Sequence, residues 1–351
     1  MPRVVGIDPG TVSIDVCGLD EGRVVLDRGW PTSEALADTA RFAAYLRSAG
    51  EPELVVGLSG YGLPLVPASR VTDDDWRLAF LAAPGTEGGI GGLRRLTRGL
   101  AEANLPLVFL PGVVHLDTVP PHRKLNRVDL GTADKISVTA LAIADQAARR
   151  GLEARETSFV LLELGGAFTA AIAVDEGRIV DGVGGTSGPM GWRAAGALDG
   201  EVAFLAGVVD KALLFRGGVE SIVAARPDLE AVAIEGFLEA AVKAVHQMRS
   251  SAPAAHEIIL SGRRADNPAL QDALAGRLAT VAPVVPLRGF AQFAKQGAQG
   301  AALLADGLAG GRHQTLVEAL RLRHAAGSAL DYLFVVSAEA ARQRLGLASH
   351  G

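Results

Sequence analysis

An internal repeat constrains this chain more than any other feature of its sequence. The segment that starts at Val4 reads VVGIDPGTVSIDVCGLDEGRVVLDRG, and the segment that starts at Phe159 reads FVLLELGGAFTAAIAVDEGRIVDGVGG. The letters DEGR stand 155 residues apart in the two segments, and the rest aligns without a gap. Because both copies must form the same local structure, the repeat predicts two similar domains.

Each copy has the pattern of three strands joined by two tight turns. The β-branched runs Val4–Ile7 and Val24–Val25 are typical of strands, and Glu-Gly suits the tip of a hairpin. In the other turn of each copy an acidic residue precedes a glycine. Asp8 and Gly10 of the first copy align there with Glu163 and Gly165 of the second.

Strands and helices alternate after each copy, which indicates an α/β protein. We predict two similar α/β domains over residues 1–155 and 156–351 around a cleft, with further helices from about residue 316. The capping residues and apolar runs predict the following elements: helices Ser33–Ala49 with Ser33 as N-cap, Ala133–Arg150, Ile234–Met248, Asn267–Leu278 and Gln296–Leu308, and strands Leu54–Leu58, Leu107–Leu110 and Glu257–Leu260.

Composition excludes several classes of protein. Apolar residues make up 49% of the 351, enough for large cores, and the net charge of −5 provides no overall attraction for nucleic acid. Cys17 is the single cysteine, which excludes an internal disulfide and leaves too few ligands for an iron–sulfur cluster. Since we find no signal peptide and no apolar window long enough to span a membrane, we expect a cytoplasmic protein without membrane or nucleic-acid partners.

The turn after the first strand is a candidate phosphate site. Asp8 ends a buried strand and suits Mg²⁺, which keeps part of its water shell. Gly10 would let backbone N–H groups approach phosphate oxygens, and Thr11 and Ser13 could donate further hydrogen bonds. The same letters also suit an ordinary hairpin turn.

The equivalent turn of the second copy is a candidate for the other side of the same ligand. Glu163 would hold the metal, and Gly165, Gly166 and Thr169 would contact phosphate oxygens. An ordinary hairpin is again the alternative. Two acid–glycine turns at equivalent places favour phosphate binding over two unrelated hairpins.

A third candidate follows the later strand of the second half. Ser261, Gly262 and Arg263 form a small-residue turn on which an adenine ring could stack, and Gly300 in a Gly/Ala-rich helix would permit a second close approach. Each of these segments also suits simple packing between a strand and a helix or between two helices.

Together the three elements resemble the ATPase fold of acetate and sugar kinases, heat-shock chaperones and actin. The resemblance covers residues 1 to about 310 and implies ATP with Mg²⁺ between two ribonuclease-H-like domains. Asp8 and Glu163 match the acidic positions of the two phosphate motifs, although many relatives have Asp where Glu163 stands. The adenosine motif often reads Gly-Gly where this chain has Ser261-Gly262.

Two segments are candidates for binding the phosphoryl acceptor. Arg123 suits an anionic substrate or the phosphoryl group, His122 lies beside it, and Lys124 is better explained as a solvated surface charge. Asp134 resembles the Asp of the Gly-x-Asp-Arg element in type III pantothenate kinases, where it is the base. An acid that complements a helix N-terminus is the alternative.

Further acceptor candidates follow other predicted strands. Ser187 and Gly188 resemble part of a motif in acetate and butyrate kinases, and the whole pattern is similar to a family labelled "predicted butyrate kinase". Ser59 and Tyr61 follow a buried strand and would line the same pocket, although a simple turn also explains them.

Three functions remain open from the sequence. A kinase that makes an acyl phosphate from a short-chain carboxylate needs cations such as Arg123 and no base, because the acceptor is already ionised. A kinase for an alcohol, such as pantothenate or a sugar, benefits from a base such as Asp134. An ATP-binding switch protein is the third. The helices from Leu316 to Leu345 either pack on the body or form a homodimer contact.

Overall fold

We analysed a computed structural model of the chain, which describes residues 2–10, 13–57, 60–85 and 90–347. The chain divides into two compact units. The first unit contains Met1–Val128, Thr132–Arg155 and Arg288–Gly351, and the second contains Asp129–Gly131 and Glu156–Leu287. This differs from the predicted division, which placed everything after residue 155 in the second domain. Contacts far apart in sequence, described below, assign the late segment to the first unit.

The first unit is built on a six-stranded sheet in the order β3-β2-β1-β4-β6-β5. Strands β1, β2 and β3 are antiparallel, whereas β4 runs parallel to β1 and β6 parallel to β4. The strands are β1 (Arg3–Pro9), β2 (Ser13–Asp20), β3 (Arg23–Pro31), β4 (Leu54–Gly57), β5 (Val66–Pro67) and β6 (Leu107–Phe109).

Helices flank both faces of this sheet. On one face Phe42, Leu46, Leu96 and Leu100 belong to an apolar core with side chains of β1 and β2. On the other face α11 packs against β1 and α6. The helices of this unit are α1 (Thr32–Ala37), α2 (Thr39–Leu46), α3 (Asp73–Phe80), α4 (Ile90–Glu102), α5 (Pro121–Lys124), α6 (Ala133–Arg150), α11 (Gln296–Leu308), α12 (Gln314–Ala319) and α13 (Ala338–Arg344).

The predicted helix Ser33–Ala49 is interrupted, so its predicted bounds and its N-cap are wrong. Asp38 is non-helical, with φ −136° and ψ 78°, and its side chain accepts a hydrogen bond from the backbone N–H of Arg41. A residue that caps a new helix inside a helical pattern divides it in two. Pro31, rather than Ser33, occupies the N-cap of α1. By contrast, α6 and α11 have the predicted bounds.

The second unit repeats the same sheet plan with five strands in the order β11-β10-β7-β8-β9. Strands β7, β8 and β9 are antiparallel, and β10 lies parallel to β7. Helices α9 and α10 bury one face of the sheet in a core rich in alanine and leucine. The elements are β7 (Phe159–Leu164), β8 (Thr169–Asp175), β9 (Arg178–Val183), α7 (Gly200–Ala206), α8 (Val219–Ala225), α9 (Glu230–Ser251), β10 (Ile258–Ser261), α10 (Pro268–Leu278) and β11 (Val284–Pro286).

The repeat predicted from the letters extends to irregularities of the backbone. The register shifts between Gly18 and Leu19 in β2, and between the equivalent Ala173 and Val174 in β8. Both Glu-Gly tips have two residues with positive φ, at 50° and 75° in the first copy and 49° and 70° in the second. Such a pair is the geometry of a type I′ hairpin turn. The two copies therefore share one backbone plan.

Within the described residues, no helix combines the length with the apolar composition that a bilayer crossing requires.

Candidate functional site

Several chain segments meet at the carboxyl edge of the parallel strands in the first unit. Asp8 ends β1, and the turn at Gly60 and Tyr61 follows β4. The N–H of Ala133 donates a 3.0 Å hydrogen bond to the carbonyl of Gly60, which brings the start of α6 to this edge. In open α/β sheets this edge is the usual place for a ligand.

Asp8 and Asp134 form an interacting pair of carboxyl groups at this edge. Burial, and next the charge of Asp134, raise the pKa of Asp8 from 3.8 to about 7, against the opposing effect of Lys295 and Lys135. Burial also acts to raise the pKa of Asp134, but the neighbouring Lys135 and a hydrogen bond from Thr132 lower it overall. One carboxyl group thus titrates near neutrality while its neighbour is held ionised.

The start of α6 explains why Asp134 is held as a carboxylate. Lys135 Nζ donates to Asp134 Oδ2 over 2.5 Å, and the Thr132 hydroxyl donates to the other carboxylate oxygen. Asp134 also lies in the first turn of an 18-residue helix, where the partial positive charge of the helix end favours an anion. The Asp134 side chain is therefore held in one position and in its ionised form.

A second charged group lies beside Asp8 and contains Lys295, which the sequence analysis missed. Lys295 Nζ lies 2.6 Å from Ser13 Oγ and 2.6 Å from Asp15 Oδ2. Ser13 donates to the same Asp15 oxygen over 2.9 Å. A Cβ atom on Gly10 would lie 3.5 Å from this ammonium nitrogen. The predicted phosphate turn thus has a cation at its side.

Two glycines allow α11 to approach these groups closely. A Cβ on Gly297 would lie 2.6 Å from Asp8 Oδ2, and one on Gly6 would lie 2.2 Å from the backbone nitrogen of Ala302. Since real Cβ atoms keep a larger distance, position 6 requires glycine against backbone, and a side chain at position 297 would displace the Asp8 carboxylate. Gly300 has the same role on α6, because its Cβ would lie 1.7 Å from the carbonyl oxygen of Ser137. That space is filled by protein, so helix contact rather than a ligand explains Gly300.

In the second unit Glu163 and Ser261 lie opposite each other on the parallel strands β7 and β10. The hydroxyl oxygen of Ser261 is buried and has no hydrogen-bond partner within the described part of the chain. Gly262 has φ 88°, and its Cβ would lie 2.6 Å from the carbonyl oxygen of Leu164. Only glycine suits this turn, which holds the predicted adenosine segment against the second hairpin. Arg263, the next residue, is exposed.

Thr169 does not lie beside Glu163. It pairs with Leu164 across the hairpin, and Leu164 belongs to the apolar core under α9 and α10. Because side chains alternate along a strand, Glu163 points to the opposite face. Gly165 donates its N–H to the carbonyl of Phe168, and a Cβ on Gly166 would meet nothing within 4 Å. Of these residues, Gly166 is exposed at the tip.

The glycine-rich segment with Ser187 and Gly188 is organised by Asp129, a residue that the sequence analysis did not select. Asp129 Oδ2 accepts from the N–H and the hydroxyl of Thr186, over 2.9 and 2.8 Å. The Ser187 hydroxyl donates to the Asp129 carbonyl oxygen. A Cβ on Gly188 would lie 2.5 Å from the carbonyl oxygen of Gly184. Hydrogen bonds to Asp129 thus hold the loop in place.

The remaining acceptor candidates lie on or near α5. His122 is exposed and Arg123 is half-buried. Lys124, interpreted from the sequence as a solvated charge, is instead buried, because its Nζ donates to the carbonyl of Leu116 over 2.7 Å and lies 5.4 Å from the ring of Tyr332. Thr11 and Ser59, which the sequence also selected, lie outside the described residues.

The donor set suits a Mg²⁺ ion on the first unit. Asp8 and Asp134 offer hard carboxylate oxygens, and a cation between them would remove the repulsion that contributes to the raised pKa of Asp8. Among the described residues, His, Cys, Asp and Glu do not gather in a group of three or more around a metal position. Such a Mg²⁺ would take its other ligands from water and phosphate, as this ion commonly does.

Sequence reasoning found Asp8, Ser13 and Asp134 but missed Asp15, Lys135 and Lys295. Asp15 follows two residues after Ser13 in β2, and strand alternation places both on one face. Lys135 directly follows Asp134. Both could have been found from local periodicity, whereas only the tertiary fold brings Lys295 to the first hairpin.

A family model described as "Protein of unknown function (DUF1464)" matches residues 6–335. The chain belongs to this family. A comparison of the sequence with curated proteins gives no match. The family match covers nearly the whole chain.

Solved structures with the same fold include two kinds of carboxylate kinase. Acetate kinase from Entamoeba histolytica superposes with a TM-score of 0.56 at 9% identity, over 80% of this chain and 87% of that one. A propionate kinase from Francisella tularensis subsp. tularensis SCHU S4 superposes with a TM-score of 0.56 at 14% identity, over 86% of this chain and 99% of that one. Acetate kinase from Porphyromonas gingivalis superposes with a TM-score of 0.54 at 14% identity, over 86% of this chain and 98% of that one. The likeness confirms the predicted α/β fold of duplicated ribonuclease-H-like domains.

Proposed function

We propose that the protein transfers the terminal phosphoryl group of ATP to a short-chain carboxylate and releases an acyl phosphate and ADP. The interacting pair of Asp8 and Asp134, with Lys135 and Lys295 beside it, is the observation that carries this proposal. The fold shared with acetate and propionate kinases supports it. In the reaction an acceptor carboxylate oxygen bonds to the γ-phosphorus as the bond from that phosphorus to the ADP oxygen breaks.

Asp8 and Asp134 would hold the Mg²⁺ that accompanies ATP. When bound, the ion offsets negative charge on the phosphates during transfer. The backbone around Gly10 and the hydroxyl of Ser13 would orient phosphate oxygens beside Asp8. Lys135 keeps Asp134 ionised, so that this carboxylate is ready to bind a cation at neutral pH.

The state of Asp134 favours a carboxylate over an alcohol as acceptor. An efficient general base has a pKa near the working pH, and Lys135 and Thr132 hold the pKa of Asp134 below its usual value. A short-chain carboxylate is already ionised at pH 7 and needs no base. It needs cations that offset repulsion between two anions, and we assign Arg123 to this task.

Phosphotransfer to an alcohol is the second candidate, and one observation favours it. The pKa of Asp8, raised to about 7 by burial and by Asp134, is suitable for a base that accepts a hydroxyl proton. A bound Mg²⁺ would lower that pKa, which weakens this alternative. The metal role of Glu163, the nucleotide roles of Thr11, Gly165, Gly166, Thr169, Ser261, Gly262 and Arg263, and the acceptor roles of Ser59, Tyr61, His122, Ser187 and Gly188 stay predictions.

The test is an assay with ATP and Mg²⁺ over C2 to C6 carboxylates and a panel of alcohols that includes pantothenate and sugars. Hydroxylamine traps an acyl phosphate as a coloured hydroxamate. We expect hydroxamate with a short carboxylate, its loss in Arg123→Ala, and partial activity in Asp134→Asn. If ADP formed only with an alcohol and no hydroxamate appeared, the acceptor would be an alcohol and the proposed carboxylate acceptor would be wrong. ATP binding without any acceptor would point to a switch protein.

A further inference from the structure

Two carboxylates, one on β3 and one on β2, bind the backbone of the segment that leads into α11. Asp27 on β3 accepts hydrogen bonds from the N–H groups of Gln292, Phe293 and Ala294, at distances between 2.6 and 3.1 Å. Asp15 on β2 accepts a fourth from the N–H of Lys295, over 3.3 Å. These bonds determine the position of the Lys295 backbone relative to the hairpin.

The side chain of Lys295 then lies along the hairpin toward its turn. Its ammonium group donates to Ser13 and Asp15, and an ammonium has three protons to donate. The Lys295 side chain is 47% exposed, whereas that of Asp15 is 4% exposed. The cation therefore lies at the solvent side of a buried carboxylate, next to Gly10, whose Cβ would lie 3.5 Å from the ammonium nitrogen.

Asp15 does not depend on Lys295 alone. It also accepts hydrogen bonds from the Ser13 hydroxyl and from the Lys295 backbone. The local charges are three carboxyl groups, Asp8, Asp15 and Asp134, and two lysines, Lys135 and Lys295. A divalent cation on Asp8 and Asp134 would turn this balance positive, and Lys295 would then be the exposed cation next to the turn.

We propose that Lys295 binds a terminal phosphate oxygen of the nucleotide beside Gly10 and Ser13, while it keeps its contact with Ser13. This inference rests on the proposed function, because it needs a nucleotide beside these two residues. Lysine binds phosphate as a point charge and needs no fixed planar geometry. Its position at the entrance to α11 also places the ligand close to the N–H groups of that helix end.

The experiment measures nucleotide affinity by calorimetry with Mg²⁺ for ATP and AMP, in the wild type and in Lys295→Met. We expect Lys295→Met to weaken ATP binding at least about tenfold, the scale of one charge-assisted contact, and to leave AMP binding unchanged. Lys243→Met is the matched control, since Lys243 is an exposed lysine of the second unit paired with Glu239. It should leave both affinities unchanged.

A double variant separates ligand binding from a merely structural ion pair. Asp15→Asn added to Lys295→Met removes the carboxylate left without its cation, so the melting temperature should recover while ATP affinity should not. Recovery of both, or an unchanged ATP affinity in Lys295→Met, would overturn the role of Lys295. A wild type that binds neither ATP nor ADP with Mg²⁺ would instead overturn the proposed function itself.

Discussion

In their described residues, the first hairpin (β1–β2) and the second (β7–β8) share the same backbone hydrogen bond but differ in their side chains. In both, the N–H of the glycine donates to a carbonyl three residues later over 2.9 Å, from Gly10 to Ser13 and from Gly165 to Phe168. The bulge and the Glu-Gly turn also coincide. The backbone of a hairpin tip therefore does not determine its chemistry.

The first tip is polar, and the second is packed. Where the first has Ser13 and Asp15, the second has Phe168 and Ala170. The Phe168 ring lies edge-to-face with Phe215 at 4.8 Å between centroids, and the N–H groups of Arg193 and Ala194 donate to the carbonyl of Ala167. The first tip therefore carries charged and polar side chains, whereas the second packs against other residues of its own unit.

The largest expected effect is the difference in activity between substitutions of Asp8 and of Glu163, the equivalent acidic residues of the two copies. We expect Asp8→Asn to reduce phosphotransfer roughly 10³-fold, because it removes charge where the proposed function places the metal and phosphates, and Glu163→Gln to reduce it about tenfold. Initial rates of ADP formation at saturating ATP and Mg²⁺ measure both. Equal losses would mean that the two tips contribute alike, which contradicts the contrast between them.

A large effect on stability is expected at Gly6, the equivalent of Leu161 in the second copy. Gly6→Ala puts a methyl group against backbone atoms of Ala302 and Ala298 that cannot move aside, so we expect a loss of about 3 kcal/mol or more in the free energy of unfolding. Urea denaturation measures it. Gly166→Ala is the control, since nothing lies near that position, and it should change little.

The charge of Asp8 at the first tip predicts a pH dependence of the stability. Burial and Asp134 raise the folded pKa to about 7, above the unfolded value, so the folded state binds the proton more tightly. Stability from this group is therefore complete below about pH 4 and is lost as pH rises through 7. Without Mg²⁺, we expect Asp8→Asn to stabilise the protein relative to wild type by on the order of 2 kcal/mol at pH 8.

At pH 5 the same substitution should have a smaller stabilising effect, because the Asp8 carboxyl group is then largely protonated in the folded protein. Urea denaturation at both pH values gives the two differences. A stabilisation that is equal at pH 5 and pH 8 would show that the carboxyl group does not titrate as its surroundings indicate. Added Mg²⁺ should reduce the difference at pH 8 by stabilising only the wild type.

The smallest expected effect concerns the Glu-Gly tips. Glu21 and Glu176 both have positive φ, which asparagine tolerates better than glutamate. Glu21→Asn and Glu176→Asn should each raise the free energy of unfolding by about 0.5 kcal/mol. Thermal melting measures both. A gain at one tip and a loss at the other would show that the repeat does not extend to the energetics of the turns.

Local signals in the sequence predicted much of the fold. The repeat predicted two similar domains with three strands joined by two turns in each copy, and the capping pattern around Thr132 and Gly151 predicted α6 with its bounds. The break at Asp38 was missed because helical periodicity continues through it. The place of α11 was missed for another reason, since its partners β1 and α6 lie far away in sequence.

The candidate site divides in the same way. Asp8, Ser13 and Asp134 were predicted because each lies at a strand end or a helix start with a recognisable pattern. Lys295 was not, because its side chain reaches Ser13 and Asp15 only after the segment before α11 docks on the hairpin. The exposure of Lys124 was predicted wrongly for a related reason. Lys124 is buried because its ammonium group donates a hydrogen bond to the carbonyl of Leu116, and only the tertiary structure places that carbonyl within reach.

The glycine contacts of α11 have a consequence for the order of events on the ribosome. Gly6 on β1 and Ser137 on α6 both contact α11, yet these partners are synthesised long before residue 296. Residues 156–287 of the second unit leave the ribosome before that helix does. The nascent chain thus holds the first sheet with one face uncovered until the last of its layers is made, and the second unit is able to fold first.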